Sequence, residues 1–168
     1  MTEAPWLTPE ALTIVTRIAG SYRRAFGRPL LTAHMETSEP RLLAQELFAA
    51  PTVVLAHDGA DPAGDPGPRL IYANCAALRL WRRPWHAMVG MPSRLTAEPT
   101  ERADRARALT SLRQRHAIGD YSGIRIDSQG RRFRIRGARV WTLWSEPDAG
   151  DGGQSCGQAA AFGDWWWL

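Results

Sequence analysis

The sequence predicts an α+β domain in which two N-terminal helices precede two strands, three helical pieces and three antiparallel strands. Three observations predict it. Short apolar or alternating runs bounded by Gly and Pro read as strands at 52–56, 70–72, 121–126, 132–144 and 156–162. Helical periodicity fills the intervals in a set order: two helices, two strands, three helical pieces, three strands. The last three strands follow one another through short turns, which makes them antiparallel neighbours.

The first helix begins at Thr8-Pro9-Glu10, an N-cap, a first-turn proline and an acid favoured by the helix dipole. Leu12, Val15, Ala19, Tyr22 and Phe26 share one of its faces, and Gly27 ends it. A second helix starts near Ser38-Glu39-Pro40 and carries Leu42, Leu43, Leu47 and Phe48 on its buried side until Pro51 breaks it. Residues 1–50 therefore form an N-terminal helical segment of the same unit, and 51–168 the core. Residues 57–68 hold three glycines and three prolines and read as a long loop. In RLIYANCAALRL the strand Leu70, Ile71, Tyr72 runs to Asn74, a strong N-cap, and Ala76, Ala77, Leu80 and Trp81 then recur at helical spacing. A short turn of helix from Pro84 closes at Gly90. Thr100 caps a longer helix running to about His116, with Ala103, Ala106, Leu109 and Leu112 inward and Gly119 as its end. In the strand 132–144 the inward phase is odd at Phe133 and Ile135 but even at Ala138 and Val140, so a bulge is expected at Gly137.

A chain of 168 residues, 44% apolar with eight tryptophans, has enough core to fold without metal or disulfide. All 21 basic residues are arginine, and the net charge is +4. The arginines are scattered, with a denser run at Arg131, Arg132, Arg134, Arg136 and Arg139 that alternates with Phe133 and Ile135 as a solvated strand face would. Nucleic acid is not an expected partner. Cys75 and Cys156 fit no metal or redox spacing, and Cys75 reads as a small filler at its helix start. The first residues lack the pattern of a signal peptide, and no run approaches the ~20 apolar residues that span a bilayer. A cytoplasmic protein without membrane contact is expected.

Five motifs in order carry a family resemblance: YANCAALRLW, MVGMPSRLTAEP, YSGIRIDSQGRRFRI, ARVWTL and GQAAAFGDW. The strand running into a capped helix through YANCAA resembles the start of a PAS-type sensor domain. Together the motifs closely resemble the MEKHLA domain family, a PAS-related group, over roughly residues 12 to 165. Its members occur at the end of plant homeodomain–leucine zipper regulators and as free-standing bacterial proteins. The resemblance implies a PAS-like regulatory fold, a five-stranded antiparallel sheet with helices on one face and two N-terminal helices, without an established activity or ligand among the bacterial members. Against light-sensing flavin PAS domains, Ser93 stands where the adduct-forming cysteine would be, so covalent flavin photochemistry is not expected. Gln158 matches the glutamine that contacts the flavin ring.

The expected function is a non-catalytic sensory or regulatory module that binds a partner protein or a small ligand. A pocket would lie between the inner sheet face and the helices from 74 to 112, lined by Tyr72, Ala77, Trp81, Met88, Leu95, Ile124, Phe133, Trp141 and Gln158. Which cofactor, if any, it holds stays open. A flavin or haem sensor without covalent photochemistry is the alternative, and a small enzyme using the same cavity a third reading. No nucleophile motif, phosphate loop, paired acid or histidine pair at metal-ligand spacing stands out. His34 and His57 read as loop positions, His86 and His116 as helix-end positions. Self-association or partner docking would use the sheet, the N-terminal helices or the tail of Trp165, Trp166 and Trp167. Alternation there buries Trp165 and Trp167 and exposes Trp166, or the reverse.

Overall fold

The computed structural model describes residues 2–31 and 39–168. The expected loop position of His34 and the Ser38 start of the second helix lie outside the described residues. A 3-10 turn (Pro5–Leu7) leads into α1 (Pro9–Phe26), followed by α2 (Pro40–Ala49), β1 (Val53–Asp58), β2 (Leu70–Ala73), α3 (Cys75–Trp81) and α4 (Trp85–Met88). A second 3-10 turn (Ser93–Thr96) precedes α5 (Pro99–Arg115), β3 (Ala117–Ile126), β4 (Arg132–Trp144), β5 (Ser155–Phe162) and β6 (Asp164–Trp167). All strand pairs are antiparallel, in the order β2-β1-β5-β4-β3, with β6 paired to β4.

The sixth strand is an addition to the five expected. After Gly163 the chain continues along the first half of β4, setting Trp167 opposite Phe133 and Trp165 opposite Ile135. Trp165 and Trp167 pack edge-on against Phe133, while Trp166 points to the other face, 40% exposed. Alternation thus resolves in favour of the odd-numbered indoles.

The sheet carries a core on each face. On the outer face α1 and α2 cover β1, β4 and β5, with Val15, Ile18, Tyr22, Leu47, Val54, Trp141 and Ala161 at its centre. Thr8 Oγ1 caps α1 by accepting from the Ala11 amide at 3.2 Å, and Gly27, at φ 69°, ends it. α1 is tied to β4 by polar contacts too: the Trp141 indole donates to the Ile18 carbonyl at 3.2 Å, and the Trp144 amide to Ser21 Oγ at 2.9 Å. On the inner face α3, α4 and β6 enclose Leu70, Ala77, Leu80, Trp81, Met88, Phe133 and Ile135. Burying a Trp or Phe side chain contributes about 3 kcal/mol in transfer terms, so Trp81 and Trp141, both fully buried, anchor one face each.

Several expected details shift by part of a turn. α1 buries Ala11, Val15, Ile18 and Tyr22, and α2 buries Ala44 and Leu47 while Leu42 stays 37% exposed. α5 starts at Pro99 rather than being capped by Thr100, and ends at His116, whose left-handed φ of 65° stops the helix before Gly119. Gly119 then belongs to β3. The inward face of α5 is Arg105, Leu109 and Leu112; Ala103 is exposed. The bulge at Gly137 is present: between Tyr121 and Gly123 the partner strand advances three residues, from Ala138 to Ile135, and Gly137 has φ 66°. Among the described residues no helix is long and apolar enough to cross a membrane.

Candidate ligand cavity

A cavity of about 70 Å³ lies between the inner sheet face and α5. Strand alternation builds its floor. Gln158, Ala160 and Phe162 come from β5, Ile135 and Ala138 from β4, and Leu55 and His57 from β1. Leu109 and Arg105 of α5 roof it, and Trp81, Ser93 and Thr96 close one side.

β3 supplies Tyr121 and Arg125. Its register explains why. Tyr121, Gly123 and Arg125 stand opposite Ala138, Ile135 and Phe133, all on the inner face, and directly paired residues share a face. Arg125 is therefore only 8% exposed; it donates to the Tyr121 hydroxyl at 2.8 Å and to the Ile124 carbonyl at 2.9 Å. Gly123 makes the room for this: a Cβ there would sit 2.9 Å from an Arg125 guanidinium nitrogen and 3.0 Å from the Tyr121 oxygen. Arg105, also 8% exposed, donates to Ser93 Oγ at 2.8 Å.

Gln158 is 6% exposed. Its Nε2 donates to the Leu109 carbonyl at 3.2 Å, which fixes the amide orientation because a carbonyl only accepts. Its Oε1 has no partner. His57 lines the same chamber and its Nδ1 lies 2.9 Å from the Asp58 carbonyl. Among the described residues no aspartate or glutamate lines the wall.

Of the nine residues expected to form a pocket, Trp81 and Gln158 stand on its wall. Ala77, Met88 and Phe133 belong to the inner core behind it. Leu95 is 37% exposed, and Ile124, opposite Arg134, faces outward. Tyr72 and Trp141 belong to the core under α1, on the other side of the sheet. For Trp141 the reason is parity: once Ala138 and Val140 face inward, residue 141 cannot. For Tyr72 it is an irregularity in β2, where His57 pairs Leu70 while the adjacent Ala56 pairs Tyr72. The extra residue, Ile71, sends Leu70 and Tyr72 to opposite faces. His57 is a strand residue rather than a loop one, and with Arg105, Arg125, Tyr121 and Ser93 it was not expected at the cavity. The available signal was the cross-strand pairing with Phe133 and Ile135.

The two cysteines are free thiols. Burial pushes the Cys156 thiol pKa up, against a smaller downward pull from Arg17, so it is a poor nucleophile. Among the described residues no group of His, Cys, Asp or Glu could hold a metal ion.

Comparison with known folds places this geometry. A PAS domain from Colwellia psychrerythraea aligns with a TM-score of 0.56 at 8% identity, over 72% of this chain and 92% of that one. A PAS domain from a two-component sensor histidine kinase aligns at 0.52 and 11% identity, over 74% and 91%. An RNA-binding light-oxygen-voltage receptor aligns at 0.60 and 16% identity over 80% of this chain, but the match spans only 36% of the receptor. At such identities the likeness establishes the fold alone. A comparison with curated proteins finds no match. The MEKHLA domain model matches residues 12–167, which takes in most of α1, nearly all of both cores and the whole of β6. The chain is a member of the MEKHLA domain family, built on a PAS-like fold.

Proposed function

We propose that the chain is a non-catalytic sensory module that holds a small ligand in the cavity under α5 and signals its occupancy to a partner chain. The observation that carries this reading is Gln158. A buried amide oxygen without a partner costs about 1–3 kcal/mol, and a packing role would be served better by an apolar residue. A ligand donor recovers that cost. The route to the surface is short, because β4 and β5 line the cavity with Ala138 and Gln158 and support α1 with Trp141 and Ala161. A ligand that prefers one arrangement of α5 would shift the population of the sheet and the helices resting on it.

The flavin or haem alternative draws on the same glutamine. Small-molecule pockets generally run from about 300 Å³ upward, and a chamber of about 70 Å³ has no room for a flavin ring system or a porphyrin. Ser93, at the position of the adduct cysteine in light-sensing domains, is already engaged by Arg105.

The test is the absorption spectrum and native mass of protein purified without added cofactor. The expected result is no visible band and a small molecule released on denaturation, with Gln158→Leu reducing its retention. A flavin or haem band would overturn the small-ligand reading. A protein that carries nothing, and that no metabolite mixture stabilises, would leave partner docking alone.

A further inference from the structure

We propose that the cavity is a site for a small organic carboxylate bearing a neutral hydroxyl, its carboxylate held by Arg105 and Arg125. The proposal rests on the ligand-binding reading above and names the ligand's chemistry.

Two buried guanidinium groups face one chamber, each 8% exposed. Burying a cation is costly unless it is paired. Among the described residues no carboxylate pairs with either arginine, and every protein partner they have is neutral: Ser93 Oγ, the Tyr121 hydroxyl and the Ile124 carbonyl. Burial, reinforced by the like charge of Arg125, pushes the Arg105 pKa down to about 9, which leaves it charged at neutral pH. The chamber is thus a positive, acid-free hollow, and an anion is what completes it. A guanidinium matches a planar carboxylate through two parallel N–H donors.

The rest of the wall limits what the anion can be. Leu70, Trp81, Ile135 and Phe162 are apolar, which favours a carbon body over an inorganic oxyanion. Gln158 Oε1 can only accept, so the ligand's second polar group is a donor. An ammonium group would meet two like charges; a hydroxyl would not. A volume of about 70 Å³ limits the ligand to a small molecule.

The experiment is thermal unfolding of the full chain with 3-hydroxybutyrate, butyrate, butyramide or inorganic phosphate, on the parent, Arg105→Met and Arg125→Met. The proposal expects both carboxylates to raise Tm with concentration, 3-hydroxybutyrate the more, and butyramide and phosphate to leave it unchanged. Each arginine variant should lose at least tenfold in carboxylate affinity. Arg105→Met should also raise the ligand-free Tm, since it removes an unpaired buried charge; a purely structural arginine would lower it, and that result would overturn the proposal. A shift with butyramide equal to that with butyrate would overturn the role of charge while leaving a ligand site in place. A shift with phosphate alone would overturn the organic body. If no carboxylate acts yet native mass spectrometry finds another molecule bound, this inference fails and the sensory reading stands. If nothing binds at all, both fail.

Discussion

Asn74 makes four side-chain hydrogen bonds. Its Oδ1 accepts from the Val54 and Ala77 amides at 3.0 and 3.1 Å, and its Nδ2 donates to the Leu47 and Thr52 carbonyls at 3.1 and 2.7 Å. One side chain therefore joins the end of α2, the start of β1 and the first turn of α3. Net worth per hydrogen bond is about 1 kcal/mol, with a larger cost when buried partners are orphaned. Asn74→Ala should lower unfolding stability by about 3 kcal/mol, read from the urea midpoint. Asn74→Asp should cost at least as much, because it removes both donors and turns a carboxylate toward two carbonyls. A midpoint for Asn74→Asp close to that of the parent would contradict this assignment. The cap was legible because asparagine before a small-residue helix has a local cause. Arg105 and Arg125 were not legible for the opposite reason. In a chain with 21 arginines, each is read as solvated unless its strand register or helix phase is known, and neither is a local property.

At the scale of elements, two glycines of the sheet separate conformational need from close approach. Gly130, in the turn between β3 and β4, has φ 81° and nothing within 4 Å of an added Cβ. Gly130→Ala should cost only the left-handed backbone penalty of about 1 kcal/mol. Gly157 on β5 is different: a Cβ there would lie 2.2 Å from the His57 carbonyl oxygen of β1. Neither main chain can yield without breaking the β1–β5 ladder, so Gly157→Ala should cost about 3 kcal/mol or more and disturb the cavity floor. Equal unfolding midpoints for the two variants would show that the strands are not held this closely. The strands themselves were readable from alternation and punctuation, including the phase change at Gly137. Which face each residue met was readable only up to the next bulge. The phase at Val140 already excluded Trp141 from the inner face, whereas the irregularity at Ile71 left no mark in the sequence. The sixth strand lay hidden in the tryptophan tail, because three adjacent indoles alternate only once a partner strand supplies two faces.

Across the whole molecule stability is divided unevenly between the two sides of the sheet. The outer helix α1 buries Ala11, Val15, Ile18 and Tyr22 and is tied to β4 through Ile18 and Ser21. Among its described side chains the inner helix α5 buries Leu109, Leu112 and the charged Arg105. Among the described residues its polar ties include those of Arg105 to Ser93, Gln158 to Leu109 and Arg102 to the Ala97 carbonyl, with Glu98–Arg132 and His116–Thr142 at its two ends. Segments with few buried apolar contacts open at lower free energy than the core they rest on. Under the proposed function, α5 is thus the element whose ordering a cavity ligand would change, and α1 the stable layer through which the change would be reported. Amide hydrogen exchange read by mass spectrometry should show α5 exchanging well before α1 in the ligand-free protein. Adding the carboxylate that raises Tm should slow exchange in α5 first and in α1 little. Protection of α5 equal to that of α1 without ligand would sink this assignment, because a helix already as ordered as α1 leaves a ligand no ordering to change.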